Sequence, residues 1–290
     1  MNFSEVIKLI RPHQYIKNLF IFLPVFFALK ITDLELLIDV VIAFVAFSFS
    51  ASAIYIVNDY HDINEDRQHP KKKYRPLASG AISVRAAIAL SLIMAISGMT
   101  IMALLSPQAA LILMAYIAMN LAYSFYFKHI SILDITIIAA GFVLRLYVGS
   151  AVTDISLSMW IVIMTFLLAL FMALAKRRDD VVIYNDTGKK LRKVIDGYNL
   201  QFLDAAMMIM ASVVIVSYIL YTTSSDIIQK LHSGNLYLTA FFVIIGIMRY
   251  LQIALVENNS GSPTRIVLKD RFMQITIALW LLSFAWILYL

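Results

Sequence analysis

The sequence predicts an all-α, polytopic membrane protein of about nine transmembrane helices, and three observations predict it. Hydrophobic residues make up 61% of the 290-residue chain and charged residues only 14%, with a mean hydropathy of +0.83. Soluble domains average roughly 45–50% apolar and 25% charged. Apolar runs recur at 18–38, 40–57, 85–105, 108–127, 132–151, 157–175, 200–222, 236–256 and 272–290, each near the length that crosses a bilayer. The charges are also lopsided. Of the 24 Lys and Arg, Arg145 and Arg249 fall inside apolar runs and Lys30 and Lys230 on one side, while all the others collect on the opposite side. The positive-inside rule makes that side cytoplasmic, together with the N-terminus.

In chain order, residues 1–17 read as an amphipathic helix on the membrane surface, with Val6, Ile7, Leu9 and Ile10 apolar and basic residues between them. Lys8, Arg11, His13 and Lys17 interrupt any apolar core of a cleavable signal peptide. The first apolar run is the weakest span, because Pro24 kinks it and Lys30 and Asp33 shorten it. Outer connections are short, apart from a polar stretch around Thr222 to Asn235, whereas the inner loops 58–82, 176–199 and 257–271 are long and charged. The whole chain, 1–290, is expected to form one membrane domain whose chemistry faces the cytoplasm. The absence of cysteine excludes disulfides, thiolate metal sites and a cysteine nucleophile.

The first inner loop concentrates the chemistry. Asn58, Asp59, Asp62, Glu65 and Asp66 fall within nine residues, followed by Lys71, Lys72, Lys73 and Arg75. If the preceding span continues as helix, Asn58, Asp62 and Asp66 recur at i, i+4 and i+8 on one face, with Asp59 at its border. Carboxylates stacked this way repel one another unless a cation neutralises them. Oxygen ligands without His or Cys partners select a hard ion, and Mg²⁺ suits a site where phosphate and water complete the shell. The basic run has a simpler reading as a lipid-headgroup contact. Arg75, beside Pro76, is more constrained, and its planar fork suits phosphate. The second loop is basic on balance: Lys176, Arg177, Arg178, Lys189, Lys190, Arg192 and Lys193 against Asp179, Asp180, Asp186 and Asp196. Arg145 lies well inside a span, where a charge is costly and defaults to a paired or functional role. Asp134 shares its run but lies about three turns away, and Arg249 is expected to snorkel to the inner surface.

Asn58-Asp59-x-x-Asp62-x-x-x-Asp66, followed by Arg75-Pro76-Leu77-Ala78-Ser79-Gly80, resembles the first signature of the UbiA superfamily of membrane prenyltransferases. The quinone-making members carry a second Asp-x-x-x-Asp motif; here that position reads Lys176-Arg177-Arg178-Asp179-Asp180. Arg11-Pro12-x-Gln14-x-x-Lys17-Asn18, His69-Pro70-x-Lys72-Lys73-x-Arg75-Pro76, Gly141-Phe142-x-x-Arg145, Lys176-Arg177, Gly197-Tyr198, Arg249-Tyr250 and Asp270-Arg271 are similar instead to the decaprenyl-phosphate phosphoribosyltransferase branch. That branch often has Glu where Asp180 stands.

The resemblance implies Mg²⁺-dependent transfer of phosphoribosyl from phosphoribosyl diphosphate to a polyprenyl phosphate in the bilayer, with no nucleic-acid partner. It implies Asn58, Asp62 and Asp66, with Asp59 beside them, around the metal, and Lys72, Lys73, Arg75, Lys176 and Arg177 on the donor phosphates. Lys17, next to Asn18, is expected at the lipid phosphate, Asp180 and Tyr198 at the ribose, and Arg145 among the substrate-binding groups. Asp62, Asp66, Arg75 and Lys176 are the residues expected to carry the reaction. Two other readings remain open at this point: transfer of a prenyl group from prenyl diphosphate to an aromatic or glycerol-phosphate acceptor, and transport. A transporter should hold its polar residues near the bilayer midplane, whereas here nearly all lie at one surface.

Overall fold

The computed structural model describes residues 3–68, 72–188, 190, 192–231, 233–259, 261 and 263–289; His69, Pro70, Lys71 and Lys189 of the two basic loops lie outside them. Among the described residues all regular structure is helical. Seven helical stretches are long and apolar enough to cross a membrane: Leu34–His61, Val84–Leu105, Pro107–Phe125, Leu133–Thr153, Met159–Thr187, Leu200–Thr223 and Leu236–Leu255. Their outward faces are apolar, with Ile96, Leu104, Leu111 and Met159 all exposed, as expected of surfaces that meet lipid.

Two of the nine expected runs take another form. Helix α1 (Phe3–Ile10) stops at Arg11, which adopts a left-handed backbone (φ 55°) before Pro12 opens a 3₁₀ segment, Pro12–Phe22. A short helix, α2 (Leu23–Phe27), carries Pro24 in its first turn, and Leu29 turns left-handed at φ 58°. The chain therefore cannot continue as one span over 18–38. Instead α3 (Leu34–His61) starts afresh at Asp33, whose side chain accepts from the Leu36 amide at 3.3 Å. At the other end α13 (Arg271–Tyr289) contains a shorter apolar stretch, Arg271–Ile287.

The chain divides into two compact units. The first comprises residues 1–128 and 140–157. It holds α1 to α3, α4 (Ile63–Gln68), α5 (Val84–Leu105), α6 (Pro107–Phe125) and the later turns of α7 (Leu133–Thr153). At 28 residues, α3 rises about 42 Å, well beyond a hydrocarbon core of roughly 30 Å. Its last turns, with Asn58 and Asp59, therefore run past the apolar layer. Small residues along its middle (Ala43, Ala46, Ser50, Ala51) let α5 approach so closely that a Cβ at Gly98 would sit 2.5 Å from the Ala46 carbonyl oxygen.

The second unit comprises residues 129–139 and 158–290. It is built around α8 (Met159–Thr187), α9 (Leu200–Thr223) and α11 (Ala240–Leu255), with α10 (Ser225–Leu231), α12 (Pro263–Lys269) and α13 completing it. Its core gathers Phe171, Leu174, Leu203, Met207, Tyr250 and Ile253. At 29 residues α8 also outruns the apolar layer, carrying Lys176 to Asp186 on its closing turns, and it ends at Gly188, where φ 66° suits glycine. Arg178 ties three elements together: it donates to Asp204 of α9 (2.6 Å), to the Ala254 carbonyl of α11 (2.7 Å) and to Asn258 (2.8 Å). Arg249 does not simply snorkel, because it pairs with Asp270 at 2.7 Å and Glu257 at 2.8 Å.

Candidate active site

In the first unit the end of α3 and the loop after it bring the acidic stretch and its basic partners together. Asp62 caps α3, and its carbonyl accepts the Asp66 amide at 2.8 Å, so the helical path carries on into α4. The side chains nonetheless divide: Asp66 shares Arg75 with Asp59, while Asp62 stays with Asn58, so the expected face of Asn58, Asp62 and Asp66 is split between two sets of partners. Asp59 and Asp66 are each 2% exposed, and Arg75 bridges them through Nη1, at 3.0 Å from Asp59 and 2.7 Å from Asp66. Arg11 also donates to Asp59, with its guanidinium 5.4 Å from the centre of the Tyr55 ring, and Lys72 approaches Asp66 at 3.8 Å. Asp59 and Asp66 thus hold three basic side chains in place. The Arg75 turn is locked in its own right: Gly80 takes φ 77°, the Ile82 amide donates to the Pro76 carbonyl at 3.1 Å, and Arg67 donates to the Ala78 carbonyl at 3.2 Å. Lys73 is exposed, its ammonium over the Tyr74 ring at 5.1 Å.

Asp62 sits differently. It accepts from Lys128 at 2.7 Å and lies 3.1 Å from His61 Nδ1, while Asn58 donates to its other oxygen at 3.2 Å. Burial pushes this carboxyl up, but the hydrogen bonds from Lys128 and His61 outweigh it and leave the pKa below the ordinary value. Lys128, just past the end of α6, was visible in the sequence only as one more inner-side charge. Its one signal was position, as a lone cation closing a run without charge.

Lys17 and Asn18 lie on the 3₁₀ segment of the same unit. Asn18 is 1% exposed and bonds Ser48 and Arg145, each at 2.8 Å. Lys17 is half-buried; burial first, then the charges of Arg145 and Arg11, push its ammonium down to about 8. Arg145 meets Asn18 rather than Asp134.

Asp134 belongs to the second unit, where it is wholly buried and takes Arg177 Nε at 2.5 Å and the Tyr198 hydroxyl at 2.6 Å. Arg177, 1% exposed, also donates to Asp180 at 2.8 Å, and Arg192 reaches Asp180 at 3.3 Å. Tyr198 accepts the Ile132 amide at 2.6 Å, and Ile132 itself is left-handed at φ 69°, a strained conformation for a β-branched residue. Burial and the bond to Asp134 push the Tyr198 phenol up. Lys176 is half-buried on the preceding turn. A cavity of about 290 Å³ opens beside this network, lined by Tyr184, Asn185, Asp196 and Tyr198 among others. The structure therefore unites Arg177, Asp180 and Tyr198 around Asp134, a residue whose distance from Arg145 in sequence had hidden its true partner.

Residues 19–276 match the UbiA prenyltransferase family. The chain belongs to that family. It is 33% identical over 288 residues to the decaprenyl-phosphate phosphoribosyltransferase of Mycolicibacterium smegmatis, covering 96% of this chain and 90% of that one. To the protein of the same name from Mycobacterium tuberculosis it is 32% identical over 283 residues, covering 96% and 92%. A UbiA homolog from Archaeoglobus fulgidus bound to DMAPP and Mg²⁺ shares the fold at a TM-score of 0.72, with 20% identity, over 99% of this chain and 100% of that one. The protein is thus an integral membrane transferase of the UbiA family, and the all-helical membrane fold expected from its sequence is the one observed.

Proposed function

We propose that the protein transfers 5-phosphoribosyl from phosphoribosyl diphosphate to a polyprenyl phosphate, releasing diphosphate, with Mg²⁺ bound at Asn58 and Asp62. The observation that carries the choice of donor is the contrast between the two acidic groups. In the first unit the Asn58 amide nitrogen donates to one Asp62 oxygen and Lys128, near the surface, to the other, whereas in the second the carboxylates Asp134 and Asp180 are joined by the buried Arg177 guanidinium. A second acidic group already neutralised by arginine suits a donor that uses one metal. The names of the relatives at 32–33% identity over most of their length support the same donor and acceptor.

Asn58 and Asp62 carry the oxygen ligands a hard divalent ion takes, while among the described residues no three acidic or histidine side chains gather to hold one. Asp62 is ionised and draws cations, and the Asn58 amide turns its nitrogen to Asp62, leaving its oxygen as a ligand. Bound there, Mg²⁺ supplies charge neutralisation on the diphosphate. Asp66 and Asp59 orient Arg75, Lys72 and Arg11, whose remaining N–H groups hold phosphate oxygens. Lys73 and Lys176 add positive charge at the rims of the two clusters.

The acceptor needs no general base, because a phosphate monoester is already anionic at neutral pH. Its oxygen attacks ribose C1, the bond from C1 to the diphosphate oxygen breaks, and the electron pair leaves on diphosphate. The work of the chain is to position donor and acceptor and to balance charge as it moves onto the leaving group. Lys17 receives a substrate phosphate. In the second unit Arg177 and Arg192 align Asp180, and Tyr198, engaged on both sides of its hydroxyl, braces that arrangement.

The test is direct. Purified protein in lipid nanodiscs with Mg²⁺, polyprenyl phosphate and radiolabelled phosphoribosyl diphosphate should yield a labelled lipid, and Asp62→Ala should abolish it. Product from a prenyl diphosphate and none from phosphoribosyl diphosphate would overturn the assignment. Substrate flux into liposomes that survives Asp62→Ala would favour transport.

A further inference from the structure

Arg145 lies in the middle of α7 with 4% of its surface exposed. Its guanidinium donates to Asn18 Oδ1 (2.8 Å), the Gly141 carbonyl (2.7 Å) and the Tyr116 hydroxyl (2.8 Å). It also lies against the rings of Phe47, Tyr116 and Phe142, at 5.0, 4.8 and 5.3 Å from their centres. All of these partners are uncharged. A buried guanidinium is ordinarily matched by a carboxylate, because an unmatched charge is costly in a low dielectric. Carbonyl dipoles and aromatic faces hold the ion without neutralising it. Its positive field therefore persists.

That field falls on the 3₁₀ segment. Asn18 is fixed at both ends of its amide, by Arg145 and by Ser48. The segment is pinned again where Tyr15 meets the Ser52 hydroxyl at 2.8 Å and where the Ile21 carbonyl passes over Gly149. Lys17 precedes Asn18, and its ammonium feels Arg145 and Arg11 as its main neighbouring charges. The ionisable groups around the segment are Arg145 from α7, Arg11 and His13 from the N-terminal stretch, Tyr116 from α6, and Tyr55 and Asp59 from α3. Asp59 is the carboxylate among them, and Arg11 and Arg75 already occupy it.

We propose that Lys17, Asn18 and Arg145 form a cradle for a phosphate monoester dianion, in which Lys17 touches the phosphate and Arg145 is the positioning residue. Arg145 supplies uncompensated charge and fixes the segment that presents Lys17. This rests on the functional reading above, where such a dianion occurs twice, as the lipid phosphate and as the 5-phosphate of the donor; the cradle takes one of them.

Asn18→Asp tests it without dismantling the packing. The variant puts a carboxylate where Arg145 already donates and so cancels the field while keeping the contact. Binding of polyprenyl phosphate alone and of phosphoribosyl diphosphate alone would be measured in nanodiscs, alongside KM and kcat for each and the apparent Tm. Binding of one ligand should weaken by about tenfold or more, the scale of losing a unit charge at short range in a partly shielded site. Its KM should rise in step, with kcat little changed and Tm not lowered. The ligand that weakens names the source of the phosphate, and Lys17→Met must weaken the same one. If Arg145 merely braces helices, the new ion pair leaves both affinities intact, and that result overturns the cradle. So does weakening of different ligands by the two variants. Should Asn18→Asp fail to fold, Lys17→Met decides alone, since unchanged binding of both ligands defeats the proposal. Wild-type protein that binds polyprenyl phosphate, loses it in Asn18→Asp and yet makes no labelled lipid would sink the functional reading and leave the cradle standing.

Discussion

Asp62 is met by an ammonium and an imidazole before any metal arrives, and that crowding has a consequence for metal affinity. Lys128→Met removes the competing charge, so the apparent affinity for Mg²⁺ should rise, read from the metal dependence of turnover or by calorimetry. Asp62→Asn keeps the shape and loses the charge; turnover should fall by about a hundredfold or more, the range seen when a preorganised charge is removed. Arg177 answers to a different rule. Arg177→Met leaves the buried Asp134 with the Tyr198 hydroxyl but without its counter-charge, and stability should drop by about 3–5 kcal/mol, seen as a lower apparent Tm in detergent. Asp134→Asn in the same chain should recover part of it. Lys17 carries a pH signature. Its ammonium is lowered to about 8 from an ordinary 10.5, so between those values the unfolded chain binds more protons than the folded one. Stability contributed at this residue should therefore rise with pH across that window. Lys17→Met should raise the apparent Tm at pH 7, and the gain should vanish toward pH 10. The acidic stretch was legible in the sequence because four carboxylates crowd the end of an apolar run. The pairings were not: Arg11 meets Asp59 across 48 positions and Lys128 meets Asp62 across 66, separations that only helix packing closes.

Among the elements, the 3₁₀ segment Pro12–Phe22 departs most from what hydropathy suggests. Its apolar residues looked like the start of a span, yet a left-handed Arg11 followed by proline turns the chain, and Pro24, Leu29 and Asp33 force a new helix. Hydropathy reports burial from water and cannot distinguish a lipid-crossing helix from a segment docked on other helices. The docking depends on Gly149, where a Cβ would lie 2.0 Å from the Ile21 carbonyl oxygen. Gly149→Ala should displace the segment, lower the apparent Tm and weaken phosphate binding at Lys17. Gly246→Ala is the control, since its Cβ would meet Thr276 at an ordinary 3.7 Å, and both properties should hold. The long spans were easier to read, because α3 and α8 combine unbroken apolar character with charged closing turns. Their lengths, 28 and 29 residues, explain why both charged clusters stand at the ends of helices rather than on separate loops.

For the whole molecule, the uneven distribution of Lys and Arg predicts which way the chain faces. Anionic lipid and the insertion machinery hold basic loops on the cytoplasmic side, and the donor in the proposed reaction is a charged, water-soluble metabolite that cannot cross the bilayer. Both arguments place Glu65, in α4, and Asn199, at the start of α9, on the cytoplasmic face, and Asp154, between α7 and α8, on the other. The chain has no cysteine, so single substitutions give clean probes. In intact cells a membrane-impermeant maleimide should label Asp154→Cys and spare Glu65→Cys and Asn199→Cys, and all three should label once the membrane is opened. Asp154, Glu65 and Asn199 are all exposed, so accessibility to reagent is set by the bilayer rather than by packing. Labelling of Glu65→Cys in intact cells would invert the topology and, with it, the side from which the donor must come. The reaction would then need a supply of phosphoribosyl diphosphate outside the cytoplasm. That makes the orientation a test of the substrate as well as of the fold.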